Sequence, residues 1–239
     1  IANVNADKVF VDLPTYIKDF AGMQPEVITF NRTVLSNISN KITFYKSLDN
    51  SRLKIIPVVS TLQLKTGQPN TITDQMNQLR QSFPNIAIRT FTNTFAIDEP
   101  EIKQLLTAND YLIYDIDEAV GLTSPIITRD RTTLNSISLP YKIGLRSAVK
   151  SDIQNVGLNH DQIVYDADNS LLDLYKTYKF DAFGDYVGIK KDDLTAGGTI
   201  SPGFIFYDPV DNLFYGYKGD LKNLDQFERT FVPAVFSST

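Results

Sequence analysis

The sequence predicts an α/β protein: a single (β/α)8 barrel in the manner of a TIM barrel, carrying a C-terminal β-hairpin and helix. An open doubly wound sheet is the alternative. Three observations carry the prediction. Short β-rich runs alternate with stretches of helical spacing along the 239 residues, and such alternation implies parallel strands joined by crossovers. Eight β-rich runs precede residue 200, the number that closes a barrel. No linker or low-complexity tract divides the chain, so residues 1–200 read as barrel and 201–239 as a hairpin and helix packed on the same domain.

The expected strands, in order, are KVFVDL (8–13), EVITFN (26–31), LKIIPVVS (53–60), IAIRTF (86–91), YLIYDID (111–117), YKIGLRS (141–147), QIVYDAD (162–168) and FDAFGDYVGI (180–189). LKIIPVVS is nearly continuous in apolar residues, as a strand covered on both faces should be, with Pro57 suggesting a bulge or an edge. Between the strands, Val34, Leu35, Ile38, Ile42 and Tyr45 have helical spacing, as do Ile72, Met76, Leu79 and Phe83. DEPEIKQLLTAN reads as a helix with acids in its first turn and an early Pro100. A short helix is expected within 129–137, another in SDIQNVGLN and a third in NSLLDLYKTY. GFIFYDP and LFYGYKG form a hairpin through DPVDN, a run of turn formers, and DLKNLDQFERTF closes the chain as a helix.

Composition narrows the chemistry. Apolar residues make up 42% of the chain, enough for a real core. A net charge of −5 argues against binding to a nucleic-acid backbone, which favours a basic face. Without cysteine there is no disulfide, thiolate ligand or cysteine nucleophile, and a lone His160 excludes a His-rich metal cluster. No apolar run approaches the ~18 residues that span a bilayer. IANVNADK does not read as a signal peptide, so the default expectation is a cytoplasmic, acidic, soluble protein. His160, between a helix and a strand, is expected to be structural.

In a barrel, side chains at the C-terminal strand ends converge on one face. Those ends carry Asp12, Asn31, Ser60, Arg89, Asp115, Asp117, Arg146, Asp166, Asp168 and Asp185. Two of the runs share the pattern Tyr-Asp-x-Asp, at 114–117 and 165–168. Strand alternation puts Tyr111, Ile113, Asp115 and Asp117 on one side and Leu112, Tyr114 and Ile116 on the other. By that logic Asp115 and Asp166 face the axis, and Asp168 caps the following helix. The competing reading of the two inward acids is an ion pair with Arg89 or Arg146. Asp115, Asp166 and Asp185 are the candidate catalytic residues. If they converge, they would hold Mg²⁺, which takes oxygen ligands, or act as acid and base on a glycosidic bond. Arg89 and Arg146 would clamp an anion, with Asp117, Tyr186 and Lys218 as further ligand-binding candidates. No P-loop, dinucleotide fingerprint, HExxH, GxSxG or EF-hand motif is present. The glycine-rich GGTISPG (197–203) leads into a hairpin and reads as a loop.

The strand FDAFGDYVGIKK and the hairpin SPGFIFYDPVDNLFYGYKG resemble the "beta protein" family of uncharacterised bacterial and phage proteins. LKIIPVVS, IAIRTF and YLIYDID look similar to its earlier strands. The positions that match are Gly184, Asp185, Tyr186, Tyr217, Lys218 and Gly219. The resemblance implies a barrel-like α/β fold and an association with phages, mobile elements or host defence, and it supplies no activity. Two functions therefore stand side by side. One is a binding protein that takes a ligand at the strand C-terminal face or a protein partner on the aromatic hairpin, residues 204–217. The other is a metal-assisted hydrolase of a phosphate ester or related bond.

Overall fold

The structure, a computed structural model, describes residues 6–13, 24–35, 37–48, 54–117, 121–138, 141–150, 152–186, 203–220, 222–223 and 225–234. Six strands form one parallel sheet: β1 (Val9–Asp12), β2 (Ile55–Val59), β3 (Ala87–Phe91), β4 (Tyr111–Asp115), β5 (Tyr141–Arg146) and β7 (Ala182–Asp185). Three more, β6 (Gln162–Asp166), β8 (Gly203–Asp208) and β9 (Leu213–Lys218), form an antiparallel sheet in the order β6-β9-β8. The α/β class is therefore as expected, but the closed eight-stranded barrel is not. The parallel sheet is a half-barrel with two edges, β1 and β7. Nor is it doubly wound, because its strand order runs β1-β2-β3-β4-β5-β7 without reversal.

Two of the eight expected strands account for the difference. EVITFN is helix α1 (Pro25–Phe30), followed by a π-helical turn, Asn31–Leu35. Its β-branched residues suggested a strand, but Pro25 at the helix start and Glu26 in the first turn are helix-initiating signals. Phe30 then packs edge-on against Phe44 of α2 (Ile38–Ser47), ring centroids 5.6 Å apart. QIVYD is a strand in the other sheet. The helix expected before it is a single 3₁₀ turn, Asn155–Gly157. A parallel return normally uses a longer, helical crossover, and β6 pairs instead with β9, antiparallel.

The remaining helices are α3 (Gln63–Thr66), α4 (Thr71–Arg80), α5 (Phe95–Leu105), α6 (Pro125–Ser136) and α7 (Ser170–Leu174). Ser124 caps α6 by accepting from the Ile127 amide at 3.4 Å, and this helix is longer than the expected 129–137. The C-terminal helical stretch includes a π-helical turn, Phe227–Phe231. Among the described residues, no helix is long and apolar enough to cross a membrane.

Strand alternation sorts the core as expected. Ile55, Val59, Ile88, Leu112, Tyr114 and Ile116 join the main core with Ile42, Tyr45, Met76, Leu79 and Phe95 of the helices. Ile56, Val58, Ala87 and Ile113 form a second cluster on the opposite, concave face. That face is strongly curled. The rings of Phe10 on β1 and Tyr111 on β4 lie 5.0 Å apart, where a flat sheet would separate strands three places apart by roughly 14 Å.

On one side of the small sheet the aromatics pack together. Phe204 stacks on Tyr217 with centroids 4.8 Å apart, and His160 meets Tyr217 and Phe231 at 5.1 and 4.7 Å, so His160 fills a structural aromatic cluster. Gly216 is required by closeness: a Cβ there would lie 3.0 Å from both Leu158 and Val164.

Candidate ligand-binding site

Two polar centres form at the C-terminal strand ends, and they are separate. The first lies on the concave face around Arg89 of β3. Its Nε donates to Asp115 Oδ2 at 3.0 Å, its Nη1 to Asp12, and its Nη2 to Asp115 and the Tyr186 hydroxyl. Tyr186 in turn donates to Asp115 Oδ2. The second Asp115 oxygen accepts from the Asp117 amide at 3.0 Å, and Asp117 takes a left-handed φ of 63° to present it. Asp115 is fully buried, and Arg89 is nearly so. Burial works against the Arg89 charge, but Asp12 and Asp115 outweigh it and hold the guanidinium protonated. Burial pushes the Tyr186 phenol up, and Asp115 adds to that against the pull of Arg89. Each charge here has a partner inside the protein. The arrangement ties β1, β3, β4 and the end of β7 together and leaves Asp115 little capacity for an incoming ion.

Behind this cluster lies Lys41 of α2. It is fully buried and its Nζ has no hydrogen-bond partner. The ammonium sits 5.9 Å from the centre of the Tyr45 ring. Burial pulls its pKa down to about 8, against the opposing attraction of Asp12.

The second centre borders a cavity of about 550 Å³ between the β5–β7 edge of the half-barrel, α7 and the antiparallel sheet. Leu171, Phe183, Ile205, Phe206 and Phe214 supply carbon walls. Arg146, Asp168, Asn169 and Asp185 supply polar groups. Arg146 Nη1 contacts Asp168 Oδ2 at 2.7 Å and donates to Ser170 Oγ at 2.6 Å. Asp168 Oδ1 accepts from the Ser170 amide at 2.9 Å, and Asp185 Oδ2 accepts from the Ala148 amide at 2.9 Å. Burial alone would raise the Asp168 pKa, but Ser170 and Arg146 bring it below the usual carboxylate value. Arg146 Nε is buried and makes no hydrogen bond. Asn169 occupies the N-cap of α7, yet its side chain makes no cap bond. At the rim, Leu172, Phe183 and Tyr207 are each more than a third exposed, at 47%, 43% and 39%.

Comparisons with protein-family models, with curated proteins and with solved structures return no match. The site must be read from its own chemistry.

The sequence-derived candidates divide between these centres. Asp115, Asp117, Arg89 and Tyr186 meet on the concave face, joined by Asp12. Arg146 and Asp185 meet at the cavity, because alternation along β7 turns Asp185 and Tyr186 to opposite faces. Asp166 is exposed on β6 opposite Leu213. Lys218 donates to the Val156 carbonyl at 2.9 Å, outside both centres. Asp115, Asp166 and Asp185 thus stand apart, and among the described residues no three His, Asp or Glu side chains are grouped to hold a metal ion. Asp168 acts much as expected of a capping acid, bonding the Ser170 amide, and the partner of Arg146 is Asp168 rather than Asp166. Most of GGTISPG lies outside the described residues. Asn169, Ser170, Leu171, Leu172 and Phe183 were not singled out from the sequence, whereas the hairpin walls fall within the aromatic stretch 204–217 that it marks as a partner surface. The signal available for Asn169 and Ser170 was the Asp-Asn-Ser run before a short helix, which local capping explains equally well.

Proposed function

We propose that the protein is a binding protein, and that its ligand enters the cavity at the C-terminal ends of β5 and β7. One observation carries this reading: a carbon-walled space of about 550 Å³ with Arg146, Asp168, Asn169 and Asp185 at its polar border. Ligand sites commonly occupy about 300–1,000 Å³, are mainly apolar and carry a few polar groups that fix orientation. The aromatic hairpin takes part through Phe206, Tyr207 and Phe214 as walls, while Phe204 and Tyr217 are stacked together beside Phe231. The resemblance to the beta protein family adds an expected setting in phage, mobile-element or host-defence biology.

Titration with a neutral environment-sensitive dye such as Nile red tests the reading. Saturable one-to-one binding is expected. Leu172→Glu, at a half-exposed wall position, should weaken it at least about tenfold, or 1.4 kcal/mol. Failure of the dye to bind, or equal binding by the variant, would remove the cavity as the site.

A further inference from the structure

We propose that the cavity's ligand is a nucleobase or nucleoside, recognised through its aromatic face and one hydrogen-bonding edge. This rests on the binding reading above and adds the chemical class of the ligand. The walls favour a flat ring. Three aromatic side chains, Phe183, Tyr207 and Phe214, border one space, and Tyr207 and Phe214 are already in ring contact at 5.2 Å. Every base has a π-face that stacks on such side chains.

The polar groups narrow the class further. Arg146 is held by Asp168 and Ser170 through Nη1, so it serves as a fixed part of the wall, and the accessible polar recognition falls to Asn169. Asn169 borders the same space with a carboxamide that makes no cap bond. A carboxamide offers a donor and an acceptor side by side, and this pairs with the adjacent acceptor and donor on a base edge. Charge argues against an anionic ligand. The Arg146 cation is already countered by Asp168 at 2.7 Å, and Asp185 adds a second carboxylate to the lining. A fatty acid or a nucleotide phosphate would therefore meet a wall with more negative than positive groups. The volume of about 550 Å³ leaves room for a ribose beside the base.

The chain contains no tryptophan, so Leu172→Trp places a single indole at the rim. Its fluorescence can be followed while adenosine, guanosine, cytidine, uridine and adenosine 5′-monophosphate are added in turn. The unaltered chain is assayed in parallel by displacement of Nile red. At least one nucleoside should quench the indole saturably, displace the dye from the unaltered chain and bind more tightly than the monophosphate. Asn169→Ala, at an exposed position, should weaken that nucleoside about tenfold or more. Dye binding without any effect of nucleosides would overturn the nucleobase inference and leave the binding reading standing. Failure of both would overturn the two together. Nucleoside binding indifferent to Asn169→Ala, or stronger for the monophosphate, would refute the proposed recognition.

Discussion

Arg89 and Lys41 are buried cations with opposite surroundings. Arg89 has two carboxylates and a phenol around it, so its charge is stabilised where it lies. Lys41 has no hydrogen-bond acceptor, only the more distant Asp12 and the face of Tyr45. Its folded-state pKa of about 8 lies below the ordinary 10.5. Between those values the unfolded chain holds a proton that the folded chain has released, so stability rises with pH through that window. A shift of this size corresponds to about 3 kcal/mol over the full interval. Burial also raises the phenol of Tyr45, so above pH ~10 the unfolded chain ionises this group while the folded chain does not, and stability falls there. Denaturant unfolding between pH 7 and 9.5 should therefore show increasing stability in the native chain. Lys41→Met should be more stable at pH 7 and nearly flat over the same range. An equal slope in both proteins would show that Lys41 is not the group responsible.

At the scale of elements, packing outweighed local pattern twice. The β-branched run at 26–31 became α1, because Pro25 starts a helix and Phe30 finds Phe44. The run at 162–166 kept its strand character but joined β9, because its predicted crossover helix shrank to a 3₁₀ turn. β5 then pairs directly with β7, and their contact is close. A Cβ on Gly144 would lie 2.9 Å from the Phe180 ring and 3.2 Å from Leu171. Gly144→Ala should cost about 1–3 kcal/mol by overpacking, read as a lower midpoint with an unchanged denaturant slope. Loss of less than about 0.5 kcal/mol would mean that the Phe180 ring yields easily at the β5–β7 seam.

The whole molecule is organised by the curl of the six-stranded sheet. Its edge strands come together over the middle, where Asp12 of β1 and Tyr186 beyond β7 both bind Arg89 of β3. Substitutions on opposite edges of a flat sheet would be independent. Here Asp12→Asn and Tyr186→Phe share a partner, and a double-mutant cycle should give a coupling of at least about 0.5 kcal/mol. Additive effects would mean that the edges do not cooperate through Arg89. Much of this organisation was legible in the residues. Alternation in YLIYDID placed Asp115 on the concave side and Tyr114 with the helices, as found. An ion pair between Asp115 and Arg89 was one of the two readings open to it. Other parts were not legible. Asp185 and Tyr186 are adjacent in sequence and so were grouped together, yet the pleat of β7 assigns them to different centres.

By itself, the sequence determined the α/β class, the positions of six parallel strands and the two faces of β4, because hydrophobic periodicity is a local property. It also determined that chemistry by cysteine or by a cluster of histidines is excluded. Only the tertiary structure decided that the sheet stops at six strands, that Arg89 is occupied by Asp12, Asp115 and Tyr186, and that Arg146 borders a cavity with Asn169. Those outcomes depend on which distant strands pair and how strongly the sheet curls. Both are set by contacts between residues far apart in the chain, and no local pattern encodes them.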